Sequence, residues 1–236
     1  NILLNAGTAG SIVSNAGADI SSSSGDLSIV AANAITLSSG ADIRTGDATT
    51  PATVGTLDLR ALGGNVDLSS SSNLTAASGD IRVWGKVDVN LGQLISTTGN
   101  VAVYADTGSI LDNDSTDGND ITASGLKLNA AIGVGVLGAS VNAIETTVIT
   151  LSARATSAGI NVLEATDLIV GDVTVTVQDV AANANSTNLD GVAQSDVNTS
   201  AGNGAIVLRT TAGSITLSDG TSATNNVAGS AISAFG

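Results

Sequence analysis

The chain has 236 residues, enough for one or two domains, and carries a formal net charge of −14 with seven basic residues in all. That charge repels nucleic acid and anionic lipid. It contains no Cys and no His, so disulfides, thiolate metal sites and imidazole acid–base chemistry are excluded. One Trp, one Tyr and one Phe serve the whole chain, so the core must be narrow enough for Val, Ile, Leu and Ala to fill it.

From the start of the chain a short phrase recurs: Gly, a small or polar residue, then apolar-x-apolar. It reads Gly25-Asp26-Leu27-Ser28-Ile29, then Gly64-Asn65-Val66-Asp67-Leu68, then Gly79-Asp80-Ile81-Arg82-Val83. Further copies are Gly99-Asn100-Val101-Ala102-Val103, Gly204-Ala205-Ile206-Val207-Leu208 and Gly213-Ser214-Ile215-Thr216-Leu217. Unflanked pairs fill the gaps, at Ile35/Leu37, Leu57/Leu59, Val87/Val89, Leu126/Leu128 and Ile160/Val162. Period two is the mark of a strand with one buried face, and each strand here runs about three to five residues. No window carries a helical stripe. No stretch approaches the roughly 18 apolar residues of a membrane span.

Short strands, short turns and an aliphatic core predict an all-β solenoid rather than a sandwich, specifically a right-handed parallel β-helix. Gly79–Trp84 aligns with Gly99–Tyr104 at a constant offset of 20. About 20 residues per coil gives roughly ten coils, a rod roughly 50 Å long. Residues 1–236 read as one β-helical domain, a fragment or subunit of a longer rod. Larger loops are expected at Thr45–Thr53, at Asp112–Asp120 and over 181–200, the last a loop or internal break. Neither end reads as a cap, so a homo-oligomer or filament by end-to-end or lateral packing is expected.

The middle of the chain has its own style. Ile132-Gly133-Val134-Gly135 precedes Ala143-Ile144-Glu145-Thr146, then Leu151-Ser152-Ala153, Gly159-Ile160-Asn161-Val162 and Asp167-Leu168-Ile169-Val170. Beside the Gly-polar-apolar-x-apolar phrases, this resembles the repeats of very large bacterial exoproteins related to filamentous haemagglutinin. The resemblance implies a secreted, extracellular or cell-surface location and a role in adhesion, matrix or surface assembly.

Four candidate features carry chemistry. Asp112, Asp114, Asp117 and Asp120 lie in one nine-residue loop that offers oxygens to Ca²⁺. The loop lacks EF-hand spacing, and the competing reading is a solvated polar loop. No other cofactor is expected. Trp84 and Tyr104 sit one coil apart on the outward side, with Arg82 and Lys86 nearby, a surface contact suited to a glycan or protein. Val173-Thr174-Val175-Thr176-Val177 alternates strictly and reads as an ordinary strand. Four Asn-x-Ser/Thr sequons arise at the frequency this composition gives by chance. Basic residues are scattered and Asp follows Gly at turns, so no catalytic constellation forms and the chain reads as a non-enzyme. The expected function is a structural extracellular rod in a filament, sheath or giant adhesin. The alternatives are a glycan- or protein-binding adhesin module and, third, a polysaccharide-active enzyme on the same fold.

Overall fold

A computed structural model describes residues 1–46, 55–114, 118–138, 142–202, 204–221 and 227–235. Among these there is no α-helix; twenty-three strands join one parallel sheet and two form a separate antiparallel hairpin. The chain is a parallel β-solenoid with three faces. The first face stacks Ile2–Asn5, Leu27–Ala31, Leu57–Ala61, Ile81–Gly85 and Asn100–Ala105, then the later halves of Ile121–Ala130 and Ile144–Ala155. The second runs from Ile12–Val13 through Ile35–Leu37, Val66–Leu68, Val89–Leu91 and Ile110–Asp112. The third runs from Ile20–Ser22 through Ile43–Thr45, Asn73–Ala76 and Gln93–Ser96 into the first half of Ile121–Ala130.

Apolar-x-apolar becomes columns of like residues along the axis. Leu27, Leu57, Ile81, Val101, Leu126 and Leu151 stack in one column, and Ile29, Leu59, Val83, Val103 and Leu128 in the next; all are fully buried. The third inward column is small: Ala31, Ala61, Gly85, Ala105 and Ala130. It marks the corner where the chain turns and leaves no room for a larger side chain.

The Gly that opens the phrase has a packing cause. Gly25, Gly55, Gly79 and Gly99 lie above one another. A Cβ on Gly79 would sit 2.0 Å from the carbonyl oxygen of Gly55, and one on Gly99 would sit 2.6 Å from that of Gly79. The next residue of the phrase has a second cause. The side chain of Asn1 accepts the backbone N–H of Asp26 at 2.9 Å, and Asp26 accepts that of Thr56 at 3.0 Å. Asp80 likewise accepts Asn100 at 2.8 Å. The other two corners repeat the device: Asn65 accepts Asp88 and Asp88 accepts Ser109, while Asp19 accepts Asp42 and Asp42 accepts Asn73. Each short polar side chain thus satisfies a turn N–H that the sheet ladder leaves over.

The 20-residue offset holds between Ile81 and Val101; the neighbouring offsets are 24 (Leu57 to Ile81) and 25 (Val101 to Leu126), and the shortest on the first face, 19, joins Leu151 to Val170. Leu27 to Leu57 is 30, and the turn that carries the hairpin is longer still, 47 from Leu168 to Ile215. Longer coils make fewer layers, and the first face stacks nine, a height of roughly 40 Å at the inter-strand spacing. The expected loop at Thr45–Thr53 lies largely outside the described residues.

The segment expected as a loop or internal break over 181–200 belongs to an excursion from the coil, part of it folded as a hairpin strand. The coil pairs Val170 with Leu151, leaves the sheet, and resumes with Val197 opposite Ala153. Between these points Thr176–Val180 and Ser186–Asp190 form an antiparallel hairpin. It folds back over the outside of the first face. Along its inner strand Thr174 O takes a bond from Asn100, Thr176 N–H goes to Asp80, Gln178 N–H to Thr56, and Val180 N–H to Ser28. At the hairpin's tip Asn1 Nδ2 reaches Ala184 O. The hairpin therefore spans five layers. Two of its residues advance roughly 6.7 Å while one layer is roughly 4.8 Å, so it crosses the axis at roughly 45°. The strict Val alternation faces inward, where Val173, Val175 and Val177 pack on Ala102 and Tyr104.

Candidate functional site

Outward residues of the first face fall into two columns. The register of Ser28, Asp58, Arg82, Ala102, Lys127 and Ser152 makes the first column, all of it buried, and the hairpin together with the return segment through Asp196 covers it. Buried charges there are paired, as burial demands. Asp58 is clamped between Arg82 Nε and Arg60 Nε, each at 2.8 Å, and Arg60 also reaches Asp179 of the hairpin. Lys127 Nζ lies 3.2 Å from Asp190 and donates to Val192 O at 2.8 Å, with the Tyr104 ring 5.2 Å away.

This corrects the expected surface contact in two respects. Arg82 is 9% exposed and committed to Asp58, so it offers nothing to a ligand. Tyr104 is half-buried and donates its phenol hydrogen to Asp190. Burial, and then the Asp190 hydrogen bond and charge, hold that phenol well above its usual range, so it stays a donor. Lys86 remains on the surface, paired with exposed Asp106. Alternation places Arg82 outward, but only the hairpin, distant in sequence, decides that it is covered.

The second column is Val30, Arg60, Trp84, Tyr104, Asn129 and Arg154. Trp84 and Tyr104 are direct cross-strand neighbours. Beyond the hairpin's edge this column opens into a groove of about 210 Å³, floored by Ala105, Ala130 and Ala131 and edged by Trp84, Tyr104, Asn129, Arg154, Thr156 and the Lys86-paired Asp106.

The acidic loop resolves differently from its sequence. Asp117 lies outside the described residues. Asp112 and Asp120 converge instead with Glu145, one coil further on, and one carboxylate oxygen from each lies within 4.8 Å of the others. Asp114, although close, is not among the three; its backbone N–H caps Asp112 Oδ1 at 2.8 Å. Asp120 is also a rung of the corner ladder, accepting Glu145 N–H at 3.0 Å. Burial, then the charges of Asp112, Glu145 and Asp114, push its carboxyl up to about 9, although the bond from Glu145 N–H pulls the other way. A proton therefore sits in the cluster at neutral pH, and a divalent cation taking three oxygens would displace it. The loop's own sequence does not point to Glu145, which lies 25 residues beyond Asp120, and the 20-residue offset legible in the sequence falls short of it; the local coil is 25 residues long.

The second glutamate is structural. Glu164 is fully buried on the inward side. Its carboxylate accepts Thr146 Oγ1 at 2.7 Å, Val148 N–H at 3.0 Å, Thr166 N–H at 3.0 Å and Thr166 Oγ1 at 2.9 Å. Four donors replace the water that the carboxylate gives up.

Fold and geometry together define a parallel β-solenoid with a hairpin laid across one face. A scan against family models and searches of curated proteins and of solved structures find no match to the chain.

Proposed function

We propose that the chain is a rigid segment of an extracellular rod, part of a bacterial surface filament, sheath or giant adhesin, and that its role is mechanical rather than catalytic. One observation carries this reading: a continuous aliphatic core runs through the coils, and polar side-chain bonds between successive coils recur at all three corners. Such an arrangement spreads axial load over many parallel bonds. The resemblance to filamentous-haemagglutinin-like repeats supports the same role and a secreted or cell-surface location. Lateral or end-to-end packing of such rods builds a filament. Acidic surface charge keeps the rods apart until Ca²⁺ screens it, and the Asp112, Asp120 and Glu145 cluster is the place for a specific ion.

Pulling the chain from its two ends in an optical trap tests the reading. A load-bearing solenoid holds and then gives way in steps of whole coils, each releasing roughly 80 Å for about 25 residues. Featureless extension at low force would sink it.

A further inference from the structure

Charged outward side chains of the first face are paired beneath the hairpin, and the groove beside the hairpin breaks that pattern. Along the first face Ser28, Asp58, Arg60, Arg82, Tyr104 and Lys127 each have a partner in the hairpin, in a neighbouring strand or in both. Trp84, Asn129 and Arg154 share the second outward column, yet their side chains make no hydrogen bond or ion pair among the described residues. Arg154 is half-buried and without a carboxylate partner in a chain of net charge −14. A guanidinium so placed is the complement of an anion that comes from outside.

We propose that this groove binds an oligosaccharide bearing a carboxylate. Trp84, Tyr104, Asn129 and Arg154 occupy consecutive strands, so Trp84 and Arg154 stand roughly 14 Å apart along the axis, three inter-strand steps. That is the reach of a short extended saccharide of about three units. The indole supplies an apolar wall for a sugar ring and a free N–H. The Asn129 amide supplies both a donor and an acceptor for hydroxyls. Arg154 takes the carboxylate through two parallel N–H bonds. An alanine floor under a few convergent polar groups is the general composition of a ligand groove. The chain's overall negative charge does not forbid the anion, because fields from distant carboxylates are screened beyond about 8 Å in physiological salt and the one carboxylate in the lining, Asp106, is paired with Lys86. It does disfavour long polyanions that would run on over the acidic surface. The inference is independent of the rod reading: a rod can bear load with an empty groove, and a binding groove can sit on a rod that bears none.

Titration calorimetry on the intact chain with 3′-sialyllactose, tri-galacturonate and neutral lactose tests the site. At least one carboxylated probe should bind saturably, and lactose should bind at least about tenfold more weakly. Arg154→Gln should cost ten- to hundredfold, roughly one charge-assisted hydrogen-bonding group, and should erase the preference over lactose. Arg154→Lys should keep part of the preference, and Trp84→Ala should weaken all probes while preserving it. Arg209→Gln, an exposed residue outside the groove lining, should change nothing. Saturable binding of neither carboxylated probe overturns the proposal. Lactose binding as tightly as the acids, or undiminished binding by a folded Arg154→Gln chain, overturns it equally. Should that variant not fold, raising salt on the unaltered chain decides the matter: affinity for a carboxylate held by Arg154 must weaken, and constant affinity rules the proposal out.

Discussion

Tyr104 and Asp190, 86 residues apart, are joined by a hydrogen bond from phenol to carboxylate. Lys127 Nζ reaches the same carboxylate at 3.2 Å, so one aspartate fastens the returning strand of the hairpin to two layers of the solenoid. Removing it leaves a buried ammonium with only the Val192 carbonyl as a hydrogen-bond acceptor among the described residues.

Asp190→Ala should therefore loosen the hairpin rather than the solenoid. Loss of one partner of a buried pair costs about 3 kcal/mol. Labelling with an amine-reactive ester reads the result directly, since the chain has two lysines. Lys127 is nearly inaccessible, with 4% of its side chain exposed, while 42% of the Lys86 side chain is exposed. In the parent chain Lys86 should label and Lys127 should not; in the variant the Lys127 rate should approach that of Lys86. Continued protection of Lys127 would show that the hairpin is held by its valines alone.

The stacked glycines offer a sharper test of coil packing. Gly79→Ala places a Cβ where only 2.0 Å separates it from a backbone oxygen, and backbone cannot move aside as a side-chain tip can. The neighbouring coils must part, at a cost of about 3 kcal/mol or more. Gly171→Ala is the matched control, because the nearest heavy atom to its Cβ is 3.7 Å away. Its effect should stay within about 0.5 kcal/mol in urea unfolding. Equal destabilisation by the two would mean that flexibility, not close approach, selects Gly in the phrase.

How far the sequence speaks follows from the same contacts. Period-two strands are legible because inward and outward residues differ sharply, as in Leu27-Ser28-Ile29. The coil offset is legible where both coils are short, at Ile81 and Val101. The hairpin is not, because Val173–Val177 alternates just as a solenoid strand does; what marks it as leaving the coil is that Val170 and Val197 pair with Leu151 and Ala153 of a single strand. The covering of Arg82 and the openness of Arg154 follow from that excursion. Two arginines with the same alternation differ only in what lies over them.

Glu164→Gln should show how much a buried corner carboxylate contributes. The carboxylate accepts four bonds, two from backbone N–H groups and two from hydroxyls. A glutamine turns one acceptor atom into a donor facing donors. The loss should be about 2–3 kcal/mol, the scale of hydrogen bonds to a charged group. Thr146→Val removes one of the four and should cost about 1 kcal/mol. Thermal unfolding of both variants checks the ratio; a neutral Glu164→Gln would mean that the four bonds contribute little net stability.

The cluster around Asp120 makes stability depend on pH in a defined sense. An aspartate in the unfolded chain titrates near 3.8, whereas in the fold Asp120 keeps its proton up to about 9. Between these values the folded state binds more protons than the unfolded one, so raising the pH favours unfolding. The contribution of Asp120 is fully present below about 3.8 and is lost as the pH rises through about 9. Asp58 and Asp80 are also raised by burial and add to the same slope. The difference between the parent and Asp120→Asn is therefore the informative quantity. Asparagine keeps an oxygen for Glu145 N–H but cannot ionise, so the fall in melting temperature between pH 4 and pH 9 should be smaller in the variant. Calcium offers the parent chain another way to neutralise the cluster, by exchanging the proton for an ion shared with Asp112 and Glu145. Adding Ca²⁺ should then raise the melting temperature more at pH 9 than at pH 5, and should do so less in Asp120→Asn. An equal response of the two chains would assign the calcium effect to the acidic surface at large, leaving Asp120 as a corner rung that holds a proton.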